Sequence, residues 1–158
     1  MKPGEALEEL SRLFAGIAEQ QKKEEELIRD TALAVIPGGI SKVYMHVGSD
    51  RADRTLRSLL SERFAGNMLQ SRVNYFGQLT ENFETIEAYL SQADALVFLG
   101  YYLCDNTQAG FSIWNMMRLA ERFKKPLYAG YRDPFCFQSN CPEIGSLQRM
   151  DARIFQTF

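Results

Sequence analysis

One histidine, one tryptophan and three cysteines are all that the 158 residues contain, and each scarcity removes a class of chemistry. His46 alone cannot supply a two-histidine metal site, and any Ser-His-Asp or Cys-His triad would have to be built around it. Cys104, Cys136 and Cys141 cannot all pair with one another. There is no CxxC motif and no Cys/His set at zinc spacing, so no metal site is expected. This usage fits a reduced, cytoplasmic setting, and the spacing of Cys136 and Cys141 allows a disulfide without predicting one. Neither sign of charge dominates: Lys plus Arg number 18 against 20 Asp plus Glu, a net charge of −2. That balance argues against a nucleic-acid surface built on bulk charge. No window approaches the roughly 20 apolar residues of a membrane span, and the opening MKPGEALEELSRL is too acidic for a secretory signal. What remains is 46% apolar, 12% aromatic and 24% charged, a composition that buries one globular core and excludes disordered and collagenous chains.

Charge is spread unevenly. Residues 1–36 carry five basic and eight acidic side chains, net −3, which leaves +1 for residues 37–158 and suggests an N-terminal arm ahead of a main domain. From Glu5 to Ala34, Leu7, Leu10, Phe14, Ile17 and Ile28 fall on a 3-4 spacing interrupted by Gln21 and Glu24, the pattern of an amphipathic helix. A long helix with one narrow apolar stripe cannot hide it alone. The stripe must lie on the main domain or on the same helix of another copy, and self-association through residues 5–34 is the favoured expectation. Pro37, Gly38 and Gly39 then end the helix and form a hinge.

The main domain reads as alternating strands and helices. Strands are expected at Lys42 to Val47, Arg72 to Gly77, Asp94 to Gly100 and Leu127 to Tyr131; helices are expected at Asp53 to Phe64, Asn82 to Gln92 and Ser112 to Phe123. The run DALVFLG is apolar throughout its middle, which suits a central parallel strand covered on both faces. Ile144 to Phe158 can supply a last short helix or strand. Four βα alternations imply a three-layer, flavodoxin-like α/β sandwich with a mostly parallel sheet.

Ligands of such sheets sit at the carboxyl ends of the strands, which directs attention to four loops: Gly48 to Asp53, Phe76 to Glu81, Gly100 to Trp114, and Gly130 to Phe135. Gly48, Ser49 and Asp50 open a helix N-terminus that favours an anion, although Asp50 also reads as a plain N-cap. Arg51, with Arg54, can neutralise a phosphate there or form a surface charge cluster. Trp114 and Tyr101 can stack a nucleobase, and Trp114 equally reads as core. Gly110 permits close backbone approach, and Ser112 is a natural N-cap for the Trp114 helix. His46 is either a packed strand-end histidine or an acid-base group. Cys104 reads as an incidental thiol.

VYMHVGSDRADRTLRSLL resembles the opening of Toll/interleukin-1 receptor (TIR) domains. IEAYLSQADALVFLG, followed by a loop and SIWNMMRLAERFKKPLYAGYRD, resembles TIR-like domains and the nucleoside 2-deoxyribosyltransferase family; together these stretches cover residues 42–133. The resemblance implies cleavage of an N-glycosidic bond beside a ribose by a glutamate on the tryptophan-bearing helix. Here the two positions where that glutamate would stand hold Asn115 and Met117. Oxocarbenium character at the sugar needs a negative oxygen nearby, which an amide does not supply. Asp105, in the loop, is the candidate to replace it, ahead of Glu81 and Glu121; Asn115 can hold a ribose hydroxyl.

Three functions follow as expectations. The first is a module that binds a nucleotide, nucleoside or NAD-related ligand, assembles through its helix and lacks efficient glycosidase activity. The second is an active N-glycosidase or transferase using Asp105. The third is an adaptor with no small ligand. None calls for a metal or a bound cofactor.

Overall fold

The computed structural model describes residues 2–47, 60, 62–64, 68–70, 83–100, 103, 113–134, 137 and 141–157. In chain order these form α1 (Pro3–Val35), β1 (Val43–Val47), β2 (Met68–Gln70), α2 (Phe83–Gln92), β3 (Ala95–Gly100), α3 (Ile113–Phe123), β4 (Leu127–Tyr131), α4 (Pro142–Arg149) and β5 (Arg153–Gln156). Leu60 and residues 62–64, between β1 and β2, are helical as well. The five strands make one parallel sheet in the order β2-β1-β3-β4-β5. The fold is therefore α/β, as the alternation of patterns implied.

Parallel strands need crossovers that return over a face of the sheet, so both faces must be apolar. β3 shows this most clearly, with Ala95 to Leu99 all buried. Side-chain alternation along the strands separates two cores. On one face Val43, Met45, Ala95, Val97, Leu99 and Phe155 pack with Leu60, Phe64 and the last turns of α1 through Ile28, Ala32 and Ile36. On the other, Tyr44, Leu96, Phe98, Leu127 and Ala129 pack with Ile86 and Leu90 of α2, Ile113, Met116, Met117 and Ala120 of α3, and Ile144 and Leu147 of α4.

α3 stops at Phe123, where the sequence pattern ends it, and α4 closes in the same way. Lys124 adopts φ 54° after α3 and Asp151 adopts φ 57° after α4. In each case a backbone N–H just beyond the turn reaches back into the helix: Lys125 to Ala120 O at 3.0 Å and Ala152 to Leu147 O at 3.0 Å. This left-handed C-terminal closure satisfies the last carbonyls. The segment Pro37 to Gly39, expected as a hinge, is tied down: Ile40 N–H donates to Pro37 O at 3.0 Å, and Arg63 Nη2 donates to Pro37 O at 3.0 Å and Gly38 O at 3.1 Å. A strand not expected from the sequence occurs at Met68–Gln70, and Arg72 to Gly77, where a strand was expected, lie outside the described residues. The tail supplies both a helix, α4, and a strand, β5.

Asp94 staples the amino edge of the sheet. Its Oδ2 accepts from Ser41 N at 2.9 Å, Ser41 Oγ at 3.1 Å and Lys42 N at 3.0 Å, so the start of β1 is fixed to the start of β3. The backbone donor of Lys42 first, then that of Ser41, hold the Asp94 carboxyl below the usual carboxylate range. A carboxyl lowered by folding stabilises the native state above its unfolded pKa of about 3.9, and that contribution disappears as pH falls through the lower folded value. Asp94→Ala is therefore expected to lower the urea midpoint at pH 7. The gap to the parent protein should close as unfolding is repeated toward pH 2; a gap that stays constant would contradict the staple.

Candidate functional site

Chain order places α3 directly after β3 and α4 after β4, so both helices begin at the carboxyl edge of the sheet. Their first turns meet there. Trp114, the second residue of α3, donates its indole Nε1–H to Oε1 of Glu143, the second residue of α4, at 3.3 Å. Cys141, the residue capping α4, donates from Sγ to Oε2 of the same carboxylate at 3.0 Å. Glu143 is only 7% exposed, whereas Trp114 and Cys141 are half-buried and rest on the core beneath them.

A buried carboxylate is costly unless it is hydrogen-bonded or near positive charge. Glu143 has both, because it stands in the first turn of α4, where the positive end of the helix dipole favours an anion, behind Pro142 at the first helical position. Burial first, and the bond to Glu143 second, push the Cys141 thiol up. Cys141 thus stays protonated as a donor, which makes it a holder of the carboxylate and a poor nucleophile.

His46 lies on the same face of the sheet, one residue from the end of β1. It pairs in register with Phe98, and their rings are stacked at 5.6 Å and 21°. It is 6% exposed, which fits a packed strand-end histidine. At the end of β4 the ring of Tyr131 meets that of Phe137 at 4.9 Å, and Arg132 next to it pairs with Glu24 of α1 at 2.9 Å. Among the described residues no three His, Cys, Asp or Glu side chains gather as a metal site, and no helix is long and apolar enough to cross a membrane.

Of the residues singled out from sequence, Trp114 and Asn115 stand side by side at the start of α3, both half-buried. Gly48, Ser49, Asp50, Arg51, Tyr101, Asp105, Gly110 and Ser112 lie outside the described residues, as do Glu81 and Cys104. Glu121 is exposed near the end of α3.

The sequence offered Asn115 and Met117 beside the indole, and the structure adds Glu143. Asn115 and Met117 are neutral, but a carboxylate arrives from 29 residues further along the chain. Pro142-Glu143 carried a signal, since proline followed by an acidic residue marks a helix start. The meeting of two helix N-termini is a long-range contact, and periodicity says nothing about it.

No family model, curated protein or solved structure matches the chain.

The chemistry available at this edge is that of a half-buried indole joined to a buried carboxyl group. Such a pair can stack a planar ring and accept hydroxyl or N–H donors, and it can stabilise positive charge developing nearby.

Proposed function

We propose that the chain is a flavodoxin-like, three-layer α/β module of TIR-like kind that binds a nucleotide, nucleoside or NAD-related ligand at the carboxyl edge of its sheet. It works in a reducing, cytoplasmic setting as a homo-oligomer held through α1. The strand order supports the fold assignment, since the chain leaves β1 toward one side and β3 toward the other, and the resulting switch point is where ligands of such sheets bind. One observation carries the functional proposal: Trp114 and Glu143 are joined at the start of two helices on that edge. The indole stacks the base, and the carboxylate accepts the sugar hydroxyls.

A thermal-shift screen against NAD, ADP-ribose, nucleoside phosphates and cyclic nucleotides tests it. A one-site ligand at a hundred times its Kd is expected to raise the melting temperature by about 5–10 °C for a domain of this size. No shift from any of them at millimolar concentration would contradict ligand binding and leave the adaptor function.

A second function gains from the same observation. With Glu143 beside the indole, the argument against N-glycosidic cleavage from a missing carboxylate falls, and Glu143 replaces Asp105 as the group that would stabilise the oxocarbenium-like sugar while water adds and the base departs. Release of nicotinamide from NAD that is lost in Glu143→Gln but retained in Asp105→Asn would favour catalysis over binding alone.

A further inference from the structure

The first two-thirds of α1 carry a stripe that no described residue covers: Leu7, Leu10, Leu13, Phe14 and Ile17 are between 49% and 67% exposed. Helices of this kind are marginal in water without packing on one face. Resting on the assembly proposed above and deepening it, we propose that a second copy of this chain covers the stripe, with the two α1 helices running antiparallel over residues 4–20.

Heptad spacing points to a helix as the partner. Leu7, Leu10, Phe14 and Ile17 alternate by three and four residues, the pattern that seats side chains of one helix into another. A strip of this length is about 25 Å long at 1.5 Å per residue. Facing it with its own copy buries on the order of 1,000 Å² in total, the threshold of a specific interface.

The direction of pairing follows from where the protein's own sheet lies. Leu7, Phe14 and Ile28 recur at multiples of seven, so they share one side of α1. Ile28 on that side is buried against Val43 and Met45. The open stripe and the docked face are therefore the same face. A partner helix laid parallel and in register would bring its residues 28–35 into the space that the first copy's sheet fills. Reversed, the partner helix leads away from that sheet, and its domain sits beyond the first copy's N-terminus.

Antiparallel overlap also matches the side chains. Leu7 then faces the partner's Ile17 and Leu10 faces the partner's Phe14, so the four heptad positions of the stripe are all used. The overlap ends at Gln20, one turn before Glu24, whose ion pair with Arg132 marks the start of the protein's own contacts. The acidic Glu5, Glu8 and Glu9 of one copy stand about 9–21 Å along the axis from the same residues of the other instead of side by side.

The test uses the unmodified full chain. Light scattering is expected to give twice the 18.1 kDa chain mass. Small-angle X-ray scattering should show a two-lobed particle, with a second maximum in the pair-distance distribution at roughly 50 Å, given about 36 residues of helix between the domain centres. Leu10→Glu combined with Phe14→Glu, both at exposed positions, should return the monomer mass and keep a cooperative melting transition. A dimer with one compact lobe, or a double variant that stays dimeric, would overturn the antiparallel arrangement and leave assembly standing. A monomer at all concentrations would overturn both.

Discussion

Glu143→Gln is expected to keep the fold and to weaken nucleotide or nucleoside binding by about ten- to a hundredfold. Glutamine nearly matches glutamate in shape, and its carbonyl oxygen can still accept from the Trp114 indole, so the helix ends stay joined. What disappears is the charge. Hydrogen bonds to a charged group contribute about 1.5–3 kcal/mol, which converts to that range of affinity. Glu143→Ala goes further, because it leaves the indole N–H and the Cys141 thiol without the acceptor that holds them. A stability loss of about 1–3 kcal/mol follows from stranding such groups. Isothermal titration together with urea unfolding separates the two effects. A glutamine variant that binds as tightly as the parent would remove the carboxylate from the site.

The second large effect is expected at Gly130, in the middle of β4. A Cβ built there would lie 2.8 Å from Leu99 Cδ2 and 2.9 Å from both Cε2 and Cζ of Phe155. Both neighbours are buried, at 3% and 8% exposure, and both stand directly across in register. The absence of a side chain on β4 is what lets the two rows close over it. Overpacking of this kind costs about 1–3 kcal/mol; Gly130→Ala is expected near the lower end and Gly130→Val beyond the upper. Gly39→Ala serves as the control, since nothing lies within 4 Å of its added carbon. Urea midpoints at constant m-value report the difference, and a Gly130→Ala variant as stable as the Gly39→Ala variant would contradict the close packing.

How much of this was legible before the structure depended on whether a signal was local. The apolar middle of β3 had to be a covered strand, and it is. Ile113, Met116, Met117 and Ala120 recur at helical spacing and all are buried on α3. β2 is three residues long, too short for alternation to set its position, and its place beside β1 comes from parallel pairing. The arm shows the same division. Its stripe was visible, but that Ile28, Ala32 and Ile36 share a core with the sheet is a tertiary fact, and only the residues before them remain open. The site was half visible: Trp114 stood out as the single tryptophan. Glu143 did not, since a glutamate after a proline reads as an ordinary helix start until another helix is set against it.

That single tryptophan makes the decisive measurement simple. Trp114 is the protein's only indole, so its emission reports the surroundings of the Glu143 pair. Titrating the full chain with the ligand that raises its melting temperature should give a saturable change in Trp114 fluorescence, with the same Kd as the thermal shift, and the change should weaken in parallel in Glu143→Gln. A ligand that stabilises the protein while Trp114 emission stays constant would place binding elsewhere and contradict the site.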